Sequence, residues 1–159
     1  MKNNSKMNSV MKLAGTIVFL FVACSTFAQQ SADINQLSLD GTWEIIFDHE
    51  NVGKEELWQS DKIFEKQSSK RDIQIPRCWE LIERDYEGVA FYRKKFMVSE
   101  SWEGKIIRVQ FGAVNYLSEV WLNDEVVGFH EGGFTPFEFR VDEMITPGET
   151  NAFILMSWI

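Results

Sequence analysis

Cysteine, histidine and proline are scarce in this chain: two, two and three among 159 residues. Cys24 lies in the N-terminal stretch, so Cys78 is the lone thiol once that stretch is removed. An internal disulfide is then excluded, and the fold must rest on its own core. His49 and His130 stand far apart and in no HExxH-like spacing, which takes away the usual ligand pattern of a metal site and leaves surface or turn positions as the plain reading. There is no GxSxG, P-loop or GxGxxG, so nucleophile-elbow and nucleotide chemistry have no foothold, and no cofactor is expected. Neither a repeat nor a heptad is visible. Positive charge is short as well, with 16 basic against 24 acidic residues and a net charge of −8. Such a chain repels phosphate backbones and acidic lipid surfaces, and nucleic acid is not an expected partner.

The start of the chain reads differently from the rest. Lys2, Lys6 and Lys12 precede an apolar run from Leu13 to Ala23, followed by "CSTFAQQ" with small residues before a cut after Ala28. This is the pattern of a secretory signal peptide over 1–28, with a polar spacer over 29–36. The run is about half of the ~20 residues a membrane-spanning helix needs, so no membrane span is expected. A second reading makes "FVAC" a lipoprotein box anchored through Cys24, against which Phe21 is a poor first residue. Export, to the periplasm or beyond, is the expected location. Removing the three lysines leaves 13 basic against 24 acidic residues, a net of −11.

From residue 37 onward the sequence has room for one domain, and its periodicity is that of strands. In "LSLDGTWEIIFD", Gly41 precedes an alternating face of Trp43, Ile45 and Phe47. Residues 48–72 are mixed and polar; a short helix over Glu55–Trp58 is the expected element there, and "EKQSSKR" a solvated connector. Pro76 biases Ile75 to extended geometry and belongs at a strand end or sheet edge. "VAFYRKKFMV" and "IIRVQF" keep period two. In "NYLSEVWLNDEVVGF" the alternation, which carries Trp121, runs into the two-residue turn Asn123-Asp124, whose residues tolerate the positive φ of a primed turn. "FEFRV" alternates again, and "AFILMSW" begins another apolar strand. Short strands about every ten residues, with turn signals between them, predict an all-β sandwich.

Aromatic residues are many for so small a domain. Their rings can stack on the apolar face of a sugar, and the same rings are the usual filling between two sheets. Core packing is the plainer reading for those on strands; Trp79, expected in a loop, leaves both open. "HEGGFTPFEF" poses the same choice. Gly132 and Gly133 allow backbone angles that other residues avoid, and Pro136 launches an extended strand through Phe137, so a corner precedes a ligand site as its explanation. Carboxylates are plentiful, but sequence alone cannot place a glycosidase pair across one bond.

In that order "LDGTW", "IQIPRCWE", "EGVAFYRKKF", "WEGKIIRVQFGAVNYLSEVWLNDEVVGFHEGGFTPFEFRV" and "PGETN" resemble the N-terminal sugar-binding domain of glycoside hydrolase family 2, which includes β-galactosidases, β-glucuronidases and β-mannosidases. The resemblance runs from about Leu37 to Trp158. It implies a jelly-roll β-sandwich over 37–159 that, in the family, precedes an immunoglobulin-like domain and a (β/α)₈ barrel with two catalytic glutamates. The family's acid/base glutamate follows an asparagine, and no Asn-Glu dipeptide occurs here. No catalytic residue is therefore assigned, and hydrolysis by this chain alone is not expected. Relatives continue past the strand matched by "AFILMSW" into an acidic loop and a closing strand, so the resemblance implies a jelly roll incomplete at its C-terminal strand, with a sticky open edge. Asp124 stands where a hairpin glycine is common, and Arg140 where many relatives carry an acid.

The resemblance implies a positioning role for Gly41, Trp43, Pro76, Trp121, Asn123, Gly132, Gly133, Phe134, Pro136 and Phe137. Trp79, Tyr92 and His130 are the candidate carbohydrate contacts. The expected function is the sugar-binding part of an exported β-galactosidase-like hydrolase in glycan breakdown, whose partners are carbohydrate and the missing immunoglobulin-like and barrel domains. Two alternatives stay open: a free-standing carbohydrate-binding module, and a piece whose open sheet edge pairs with another chain.

Overall fold

Eight strands carry the fold, and the alternation of apolar residues places nearly all of them. In a computed structural model, which describes residues 35–159, they are β1 (Gly41–Asp48), β2 (Arg71–Ile75), β3 (Val89–Met97), β4 (Arg108–Phe111), β5 (Leu117–Leu122), β6 (Glu125–Glu131), β7 (Phe137–Arg140) and β8 (Thr150–Trp158). The expected leader over 1–28, with Cys24, lies outside the described residues. All pairings are antiparallel: a six-stranded sheet in the order β2-β1-β3-β8-β5-β6, and a two-stranded sheet β4-β7. This is the all-β sandwich that the sequence predicts.

Period two explains which side chains meet. Trp43, Ile45 and Phe47 of β1, Val120 and Leu122 of β5, and Phe153 and Leu155 of β8 point inward. There they pack against Ile107, Val109 and Val141 from the small sheet and its flanks. Each large side chain fully buried in this way contributes roughly 1.5–3 kcal/mol. The opposite face of the large sheet is apolar in its middle, where Ile46, Phe91, Trp121 and Ile154 lie under Trp58 and Phe64.

That cover includes α1 (Asp61–Lys66), which ends inside the expected connector "EKQSSKR"; the sequence places its helix earlier, over Glu55–Trp58. Residues 55–58 form hydrogen-bonded turns instead, because Leu57 takes φ +60° and interrupts any helix. A six-residue helix has little stability of its own. It is held by Arg93, 3% exposed, whose guanidinium bonds Glu44, Asp61 and Glu65 and lies 4.8 Å from the Phe64 ring centre. Burial alone would lower the Arg93 pKa; these three carboxylates outweigh it and raise it. Glu65 answers in kind: Arg93, and then Lys95, hold its carboxyl at about 2.

The turn residues behave as their chemistry requires. Gly41 opens β1 at φ +105°, and Asn123 and Asp124 take φ +52° and +70° in a primed two-residue turn. Asn123 does more than turn: its amide donates to the Met144 carbonyl and to Asn151, both at 2.8 Å, and its oxygen accepts from Ala152 N–H at 3.0 Å. The Asp124 carboxylate accepts from the first N–H of α1, Asp61, at 2.8 Å. Trp43 donates its indole N–H to Leu39 at 2.7 Å, Trp121 packs on the outer face, and Pro76 follows the last residue of edge strand β2.

The last apolar strand is placed differently from a strand left hanging. β8 lies in the middle of the large sheet, paired with β3 along one side and β5 along the other. Among the described strands the open edges belong to β2 and β6 in the large sheet and to both members of the small one.

Candidate functional site

The three candidate sugar contacts do not form one site. Trp79 sits in a 3-10 turn (Trp79–Leu81) that folds into the core, where it is 3% exposed. Tyr92, on the inward face of β3, stacks on it with ring centres 6.4 Å apart and planes 8° from parallel. Phe47 and Tyr86 meet the indole edge-on at 5.9 and 5.8 Å. Burial pushes the Tyr92 hydroxyl well above its usual range. The Trp79 indole N–H has no acceptor among the described residues. Loop aromatics often face ligands, but local sequence does not reveal that this turn folds inward.

His130 belongs to the corner. It lies on the inward side of β6, stacked on Phe137 with ring centres 4.1 Å apart, and its Nε2 is 3.0 Å from the Thr135 hydroxyl. Phe137 in turn stacks on Phe111 at 4.9 Å. Gly132 takes φ +132°, and Gly133 lies so close to the Asn115 side chain that a Cβ there would collide with its oxygen. Pro136 then leads into β7. Phe134, at the tip of this turn, is 93% exposed.

A cleft of about 530 Å³ opens on the outer face of the large sheet, beside the part that α1 covers. Pairing register builds its floor: Val89, Trp158 and Leu117 stand side by side across β3, β8 and β5, with Met156 in the next row. The turn after β1 supplies His49, Asn51 and Lys54 as one wall, and Tyr86, Glu87 and Gly88 the far end. Lys54 bonds Glu119 at 2.6 Å across the cleft. The Asp48 carboxylate is held in place by the N–H groups of Val52 and Gly53 at 2.9 and 2.7 Å. Tyr86 bonds Val89 through both its carbonyl and its N–H, at 2.8 and 3.1 Å, and burial raises its pKa. Its ring meets His49 edge-on at 4.8 Å. Trp79, packed on Tyr86, thus braces the far end of this cleft from the core side. Nothing local marks Trp158 and Glu87 as neighbours, since only the strand order brings them together.

Among the described residues no group of three or more His, Cys, Asp or Glu is arranged to hold a metal ion, and no helix is long and apolar enough to cross a membrane. Cys78 is exposed, with its Sγ 2.6 Å from Glu80, and that contact pushes its thiol pKa up.

This sheet order and corner define a jelly-roll β-sandwich module. Residues 82–158 match the model of the glycosyl hydrolases family 2 sugar-binding domain. The chain is 46% identical over 66 residues to a β-galactosidase of Thermoanaerobacter pseudethanolicus, an alignment covering 42% of this chain and 9% of that protein. It is 30% identical over 118 residues to a β-glucuronidase of Paenibacillus borealis, covering 71% and 19%. A solved β-glucuronidase from Ruminococcus gnavus superposes with a TM-score of 0.71 at 28% identity, covering 77% of this chain and 21% of that one. The chain belongs to glycoside hydrolase family 2, of which it holds the sugar-binding domain. It spans about a fifth or less of the length of these relatives.

Proposed function

We propose that this chain serves an exported hydrolase of β-galactoside or β-glucuronide type, as a domain that binds glycan beside a catalytic barrel and does not itself cleave it. One observation carries the reading: over 77% of its length the chain follows the fold of a β-glucuronidase at 28% identity. The partners in this reading are carbohydrate and the immunoglobulin-like and barrel domains that follow in the family. Retaining hydrolysis would be carried by two glutamates of that barrel. Trp79 and Tyr92 support the sugar-facing surface from beneath, and His130 fixes the corner at Gly132-Gly133. Export rests on the leader pattern over 1–28.

The test is to incubate the chain with aryl β-galactoside and aryl β-glucuronide and to titrate it with the corresponding sugars. No turnover above a protein-free blank, together with saturable sugar binding, is the expected result. Turnover that survives repurification would overturn the division of labour, and the absence of binding would overturn the sugar-binding role.

A further inference from the structure

The cleft on the outer face lies beside the part of the large sheet that α1 covers, with buried Val89 and Met156 in its floor. Its floor carries the Trp158 side chain, 54% exposed, on a strand whose preceding residues are buried from Asn151 to Ser157. An indole held open in that way faces a ring of polar groups: Glu87 at the far end, Glu119 on the neighbouring strand, and Asn51 on the wall. A pyranose has one face of C–H groups, which stacks on an aromatic ring, and a rim of hydroxyls that donate to carboxylates. The cleft volume of about 530 Å³ falls within the range of small-molecule sites.

We propose that this cleft is a subsite for a neutral pyranose, with Trp158 as the stacking platform and Glu87 and Glu119 as acceptors for its hydroxyls. The proposal rests on the sugar-binding reading above and narrows it. Charge decides between the two sugar classes. The lining holds three carboxylates, Asp48, Glu87 and Glu119, against one ammonium, Lys54. That ammonium is engaged by Glu119 at 2.6 Å, and the whole chain carries −8. A uronate carboxylate placed there meets an excess of like charge, whereas a neutral sugar meets acceptors it can satisfy.

The experiment is a two-dimensional NMR titration of the chain with methyl β-galactoside and with methyl β-glucuronide, since the spectrum also reports whether each variant is folded. The galactoside should shift amides around Gly88, Leu117 and Trp158, and bind about tenfold more tightly than the glucuronide at low salt. Trp158→Ala should weaken galactoside binding by about tenfold, the scale of one lost stacking contact. Glu87→Gln, at an exposed position that asks little of the fold, should narrow the preference over the glucuronide. Glucuronide binding as tight as galactoside binding overturns the neutral-sugar assignment. Sugar-dependent shifts that lie elsewhere and ignore both variants overturn the subsite while leaving a sugar-binding domain. Silence with both sugars overturns the subsite and the wider reading together.

Discussion

Two residues show how differently a side chain can be committed. Trp79 is enclosed by Phe47, Tyr86 and Tyr92, so its work is packing. Trp79→Ala should cost about 3–5 kcal/mol in a urea melt, the range for deleting a buried aromatic. Arg93 is committed by charge instead. Removing it leaves Glu44, Asp61 and Glu65 facing one another, with Asp61 and Glu65 still in reach of Lys95. Arg93→Ala should therefore destabilise by about 3 kcal/mol, at the lower end for a broken buried ion pair because its partners reach water. The same melts measure it; a change within experimental scatter would show that the carboxylates simply turn outward.

Among the elements, the β5-β6 hairpin and α1 depend on each other through one carboxylate. Asp124 takes a left-handed angle that glycine adopts more easily, yet it also accepts the first N–H of α1. Asp124→Gly should change stability by less than about 1 kcal/mol, as turn relief offsets the lost bond, while Asp124→Ala loses on both counts by about 1–2 kcal/mol. The hold on α1 also responds to acid. The Glu65 carboxyl is depressed from 4.5 to about 2 in the folded protein, so its contribution is complete above pH 4.5 and is lost as pH falls toward 2. A melting temperature followed over that window should fall less steeply for Glu65→Gln than for the parent chain. These elements were not equally legible beforehand. Asn123-Asp124 announces its hairpin because turn chemistry is local, and Trp43, Ile45 and Phe47 announce β1 by alternation. Helix α1 is silent in the sequence because its stability comes from Arg93, about thirty residues away. The edge strand β2 starts inside an apparent connector because β1 supplies its hydrogen bonds. For the site, the corner at Gly132 and Gly133 could be read, but the cleft could not, since it exists only where β3, β8 and β5 lie side by side.

At the scale of the whole molecule, the leader pattern makes a prediction of its own. Produced in an exporting host, the chain should appear with residues 1–28 removed and Gln29 as its first residue, which intact-mass measurement will show; retention of Cys24 with an added lipid mass would favour the anchored form instead. The open edges of β2 and β6 and the bare ring of Phe134 add a further expectation. The isolated chain should self-associate with rising concentration, and a sedimentation profile independent of concentration would count against it. Placing β8 between β3 and β5 has a consequence in time. Of the eight strands it is made last, and it is the one that joins the β2-β1-β3 half of the large sheet to the β5-β6 half. The β5-β6 half can form as a local hairpin and the β2-β1-β3 half by pairing across longer connections, but the two remain strangers until Thr150–Trp158 emerges and slides between them. Cooperative folding of this domain is thereby deferred until its last described strand has been made, and the segments before it stay a loose thread while residues 41–149 emerge.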